Sequence, residues 1–295
     1  MSRRQVRNWK NVIRQSICIA KVELGRCFFS TRALILVILF VYLKGQISDS
    51  LLELSESTGE PLQLFEPAIA VLDGSSTMLM LPLFFLTVFA DFPKTDSDSF
   101  LYFSRSGKLS WFMGQVLMSI TGAFVVLVGT MVAVTLPCVR YLSWNDGNWS
   151  DAVTKYYKIV DDELNFSFSL IDARTYNQMN PGEALFHNAM LMLLCLVLLA
   201  MLKLLFYVYG KKAAGIFVDA VLVVIGNVLC YLEVEKVMWF FPMANTQVWL
   251  RHQEILNIQE FPLYLSYVYF FVFLFVAGLL TYVRLKKGNI QSESC

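Results

Sequence analysis

ALFHNAMLMLLCLVLLAMLKLLFYVY, running from Ala184 to Tyr209, decides the fold. A helix that crosses a bilayer needs roughly 20 mostly apolar residues, because the hydrocarbon core is about 30 Å thick and each residue rises about 1.5 Å. This run meets that requirement with Lys203 as its one residue charged at neutral pH. Working outward, Phe112–Cys138, Ala213–Leu232 and Leu263–Val283 are long enough as well. Ala33–Tyr42 and Thr77–Ala90 are short. They span only if flanking residues such as Lys44-Gly45-Gln46 or Val71-Leu72 are drawn in, or if the bilayer thins locally. A chain of 295 residues with 57% hydrophobic content, 24 Phe and 16% charge lies outside the usual range for a soluble domain. The sequence therefore predicts an all-α membrane protein: one transmembrane domain over residues 1–295, with six spans.

Charge placement predicts the orientation. Seventeen of the 24 Lys and Arg residues lie in the N-terminal arm, around Lys94–Lys108, at Lys203, Lys211 and Lys212, and in the tail at Arg284, Lys286 and Lys287. The alternate intervals hold only Lys44, Arg140, Lys155, Lys158, Arg174, Lys236 and Arg251. Cytoplasmic loops carry the basic excess, so both termini are expected in the cytoplasm. The net charge of +1 hides this separation and gives no reason to expect a nucleic-acid partner.

Three intervals between the spans have character of their own. In the arm, residues 1–31, Val6, Trp9, Ile13, Ile17, Ala20, Leu24 and Phe28 recur in steps of three and four, with Arg7, Lys10, Arg14 and Lys21 beside them. That pattern describes an amphipathic helix in the inner headgroup layer, its apolar side in lipid and its bases against anionic phosphates. The interval 91–111 predicts a short helix over Ser99–Ser104, capped by Asp96 or Ser97 and ended by Gly107. A short polar helix ending in basic residues suits docking of a soluble partner; the plainer reading is a turn joining two spans. The interval 140–182 is a long outer loop, which usually has structure or function of its own.

Catalytic patterns are not found. The chain has no Gly-x-x-x-x-Gly-Lys-Ser/Thr, no Cys-x-x-Cys, no Gly-x-Ser-x-Gly and only two histidines, His187 and His252. No catalytic residue, metal ligand or bound cofactor is expected in it. Intramembrane polar side chains are the remaining candidates, because an ionisable group at that depth is costly. Asp219 either pairs with Lys203, Lys211 or Lys212, or belongs to a path through the bundle. Asn227 suits a hydrogen bond between helices, and Gln115 opens the third span.

The order of landmarks carries a resemblance. Phe65-Glu-Pro-Ala-Ile-Ala-Val-Leu-Asp73 precedes the second span, and Asp91-Phe-Pro93 follows it. Next come Ser104-Arg-Ser-Gly-Lys-Leu-Ser-Trp-Phe-Met-Gly-Gln115, then Phe241-Pro-Met-Ala-Asn-Thr246 and Arg284-Leu-Lys-Lys287. This layout resembles the six-span permease subunits of ABC-2-type transporters, especially those of Gram-positive bacteria. The resemblance implies a bacterial cytoplasmic membrane and a second permease chain, identical or different. It also implies a separate ABC ATPase subunit that binds ATP and Mg beneath the membrane. It places the docking contacts at Ser104, Arg105, Gly107, Lys108 and Trp111, with Arg14 and Lys21 on the arm, and implies an exporter. The other reading is a non-transporting scaffold or sensor whose outer loops bind a ligand.

Overall fold

The computed structural model describes residues 3–94, 106–144, 147–158, 171–234, 236–252 and 261–287. The chain is an all-α membrane protein. Among the described residues, five helices are long and apolar enough to cross a membrane, and there are six spans if one bent pair counts as a span.

Helix α1, Arg3–Phe28, opens the chain. The first span is longer than its apolar run suggests. It joins α2, Leu34–Leu43, through a wide turn at Lys44–Ser48 to α3, Asp49–Thr58, and covers 28 residues, Thr31–Thr58. The wide turn is π-helical, a geometry that frees a carbonyl from the regular ladder. There, Ser48 Oγ donates to the Val134 carbonyl at 2.9 Å, and Cys138 Sγ approaches the Ser48 carbonyl at 3.9 Å. Gly59 ends the span in the left-handed conformation, φ +68°, where a side chain is disfavoured.

The second span departs from expectation. Helix α4, Glu66–Asp73, and helix α5, Ser75–Val88, meet at an angle of 83°. Val71 and Leu72 belong to α4, so they turn across the end of α5 and do not lengthen it. The 14 residues of α5 reach about 21 Å, less than the hydrocarbon core. Gly74 is extended between the two (ψ 131°), which breaks the helical ladder.

The remaining spans match the apolar runs. They are α6, Lys108–Cys138; α9, Pro181–Val208; α10, Lys212–Tyr231; and α12, Leu263–Lys287. Between them lie the short helices α7, Asp151–Lys158, α8, Ala173–Gln178, and α11, Pro242–Thr246. Strands β1, Leu62–Gln63, and β2, Leu142–Ser143, pair in parallel and tie the interval after α3 to the interval after α6. Helix α9 is the hub, packed by α4, α6, α10 and α12. Its most apolar window is 61% buried inside the protein, against 17% for α12, so the run that best announces a span is mostly core. Lipid tails are as apolar as leucine, so close packing must hold such helices together. Gly122 supplies it on α6: the ring of Phe89 fills the space a side chain would need.

Candidate functional site

At the end of the bundle that carries α1, helix α1 crosses the first turns of α6. Ser16 Oγ donates to the Ser110 carbonyl at 3.0 Å, and Ser110 Oγ donates to Gln15 Oε1 at 3.0 Å. Gly114 marks the closest approach: a Cβ there would lie 2.9 Å from the Ile19 side chain. The crossing splits the apolar stripe of α1. Ala20 is buried and Leu24 and Phe28 pack against the core, whereas Trp9, Ile13 and Ile17 are about half exposed. The stripe was expected to face lipid along its whole length. The face buried on the protein runs through Ser16, Ile19, Glu23 and Cys27, beside the stripe, so only the C-terminal members of the stripe pack inward and its N-terminal members are left outward.

Residues 91–94 knit this end together. Arg32 pairs with Asp91 at 2.8 Å, and Lys94 Nζ donates to the Arg26 carbonyl at 3.4 Å. Lys212 Nζ donates to the carbonyls of Asp91, at 3.0 Å, and Pro93, at 3.3 Å. Phe92 is buried edge-on to Phe89 and is joined to Pro93 by a cis peptide bond. Four residues thus bridge the C-terminal end of α1, the end of α5 and the start of α10.

The sequence-derived docking residues separate. Arg14 and Lys21 are exposed on α1, and Lys108 is half-buried. Gly107 has φ +81° and breaks the chain direction before α6. Trp111 is buried, its ring 6.2 Å from that of Tyr207, so it anchors α6 to α9 and offers no surface to a partner. Ser104, Arg105 and the expected helix over Ser99–Ser104 lie outside the described residues.

The intramembrane candidates also differ from expectation. Asp219 is fully buried, yet neither carboxylate oxygen has a hydrogen-bond partner. Pairing with Lys203 is not made at contact distance: the Lys203 ammonium donates to the carbonyls of Phe89 and Leu86. The physical reason is the end of α5, whose last carbonyls have no helical partners and claim the nearest strong donor. Gln115 is buried with both ends of its amide unpartnered. Asn227 is half-buried on α10.

At the opposite end the structure assembles polar contacts that sequence reading missed. Glu66 is fully buried and accepts the backbone N–H groups of Gln63 (2.8 Å) and Ser150 (2.7 Å). Asp73 accepts the N–H of Asp172 at 2.8 Å, the hydroxyl of Thr175 at 3.0 Å and the amide of Asn188 at 3.4 Å. One carboxylate at each end of α4 therefore staples it to both ends of the 140–182 interval. Nearby, the buried Arg251 donates to the Asn245 carbonyl (3.1 Å) and to Ser266 Oγ (2.6 Å), and lies over the stacked rings of Trp239 and Phe261. Burial pushes its pKa down to about 10, and the nearby Tyr267 only partly offsets this. The signal for all three was present as acidic or basic residues beside turn residues, but Ser150 lies 84 positions from Glu66 and the partners of Asp73 lie 99 or more positions away. Arg251 finds its partners within 15 residues only because the 239–266 segment folds back on itself. Among the described residues no group of three or more His, Cys, Asp or Glu side chains could hold a metal ion.

No protein-family model matches this chain, and no curated protein or solved structure is significantly similar to it.

Proposed function

We propose that the chain is the transmembrane permease subunit of an ABC-type exporter, driven by a separate ATPase that binds ATP and Mg. Its α1 end would face the cytoplasm of a bacterial cell, and a second permease chain, identical or different, would complete the pathway. The reading rests on the bridge formed by residues 91–94. A push on the adjoining 95–107 interval would reach α1 through Lys94 and Arg32, and α10 through Lys212, without passing through lipid. That is the mechanical property a subunit needs when its energy arrives from a soluble partner.

The test is co-purification. Wild-type protein, extracted with its membrane partners, should bring down a P-loop ATPase. Arg105→Glu combined with Lys108→Glu should abolish that association while membrane insertion is retained. Unchanged recovery of the ATPase would remove the docking assignment. The stapling of the outer layer by Glu66 and Asp73 favours a second reading, a scaffold or sensor with a ligand-binding exterior; that protein would recover no ATPase even as wild type.

A further inference from the structure

Asp219 is the single acid of α10; it is fully buried, and neither of its oxygens meets a donor. Of the elements packed on α10, α5, α11 and the turn at Met238–Phe240 bring no titratable residue. Helix α9 brings Cys195 and Lys203, which act on the carboxyl group electrostatically. Lys212, seven positions back on α10, acts on Lys203, as do Asp91 and Cys27. The two helices approach closely on the Lys203 side. A Cβ at Gly215 would lie 2.8 Å from Phe206 Cβ and 3.5 Å from Lys203 Cα. Asp219 follows one turn deeper, about 6 Å along the axis. The Lys203 ammonium, also buried, is engaged by the carbonyls of Leu86 and Phe89 at the end of α5.

An ionised carboxylate stripped of water and of every donor is far costlier than the neutral acid. We infer that Asp219 is a proton-binding site whose occupancy sets the position of Lys203. With the proton bound, Lys203 rests on the end of α5; with the proton released, it pairs with the carboxylate. On release the Oδ–H bond breaks, its electrons stay on Asp219 and the proton passes to water. The two states exchange one set of charge-assisted hydrogen bonds for another. The end of α5 leads straight into residues 91–94, so a single proton acts on the bridge between α1, α5 and α10. The inference stands on the packing of α9 and α10 and does not depend on the transporter reading. Neither an ATPase nor transport enters its test.

The experiment uses the full chain in a neutral detergent, from pH 7 up to the most alkaline pH at which circular dichroism shows unchanged helix content. Infrared spectra of protein labelled with carbon-13 in its aspartate carboxyls show protonated aspartate by the acid carbonyl band. Phe89-Ala90 is the only Phe-Ala pair in the sequence, so carbon-13 in phenylalanine carbonyls with nitrogen-15 in alanine isolates the Phe89 carbonyl by NMR. At pH 7 an acid band should be present that Asp219→Asn removes. As pH rises the band should fade, and the Phe89 signal should move with it, toward that of a carbonyl that has lost a charge-assisted bond. In Asp219→Asn that signal should stay in place. Asp219→Glu covers a failure of the Asn variant to fold: the band should lose its aspartate isotope shift and keep its pH response. Absence of an Asp219-dependent acid band at pH 7 would overturn the inference. So would a band that never fades, a Phe89 signal that does not follow it, or the same movement in Asp219→Asn.

Discussion

The two ends of the bundle are built from the same kind of material and hold themselves together differently. At the α1 end, cations on flexible side chains reach backbone carbonyls: Lys94 to Arg26, Lys212 to Asp91 and Pro93, Lys203 to Leu86 and Phe89. At the other end, buried carboxylates gather backbone N–H groups: Glu66 from Gln63 and Ser150, Asp73 from Asp172. Carbonyls at the ends of helices attract lysines, and turns present amide hydrogens that attract acids. Except for the Lys203 contacts, the first set is largely accessible and can exchange with water or a partner. The second set is buried and cannot. One end is adjustable and the other is locked.

That contrast can be broken in several ways. The largest effect is expected at the locked end. Glu66→Leu leaves two buried N–H groups without an acceptor and should cost about 3–5 kcal/mol, combining the lost charge-assisted bonds with the desolvation of their donors. Thermal unfolding in detergent would measure this, and early protease cleavage within residues 140–182 should accompany it. A loss as small as that of a surface substitution would show that the staple is not structural.

At the hub, Lys203→Met strips a donor from two helix-end carbonyls and should cost about 2–3 kcal/mol, whereas Asp219→Asn should change stability by about 1 kcal/mol or less because its oxygens bond nothing. Equal losses would mean that the two act as an ion pair after all. Normal transport with Asp219→Asn would also dispose of a mechanistic role for the carboxylate.

At the adjustable end, Gly114→Ala places a methyl group against Ile19 and should cost about 1–2 kcal/mol, in the range of overpacking. A cysteine pair joining α1 to α6 should then crosslink more slowly. An unchanged rate would mean that α1 does not depend on this crossing.

The smallest effect is a pH dependence. Burial first, then the charge of Arg251, pushes the His252 pKa below its ordinary value. The unfolded chain therefore binds a proton at a higher pH than the folded one, and folding loses stability as pH falls through about 6.5. His252→Gln should flatten that slope, read from denaturation midpoints at pH 7.5 and 5.5.

Much of the bundle was legible from residues 184–209 outward, because a hydrocarbon slab imposes one length and one polarity on any helix that crosses it. The last four spans follow directly. In the first, Lys44-Gly45-Gln46 are drawn into the span as expected, but a π turn carries the helix further, on to Thr58. The second was misjudged because Val71 and Leu72 look like an extension of α5, while Gly74 turns them aside. In the candidate site, Lys108, Arg14 and Lys21 could be picked out as basic residues, but nothing local distinguishes the buried Trp111 from an exposed anchor.

The sequence by itself determined that the protein is helical and membrane-embedded, since hydropathy and length act on each segment separately. It also displayed the basic asymmetry between alternate intervals. The tertiary structure alone decided which helix is the hub, where Lys203 spends its charge, and which loop each carboxylate of α4 holds. Those outcomes depend on contacts between residues dozens of positions apart, where an unsatisfied carbonyl or amide competes for the nearest partner, and no local pattern records who wins.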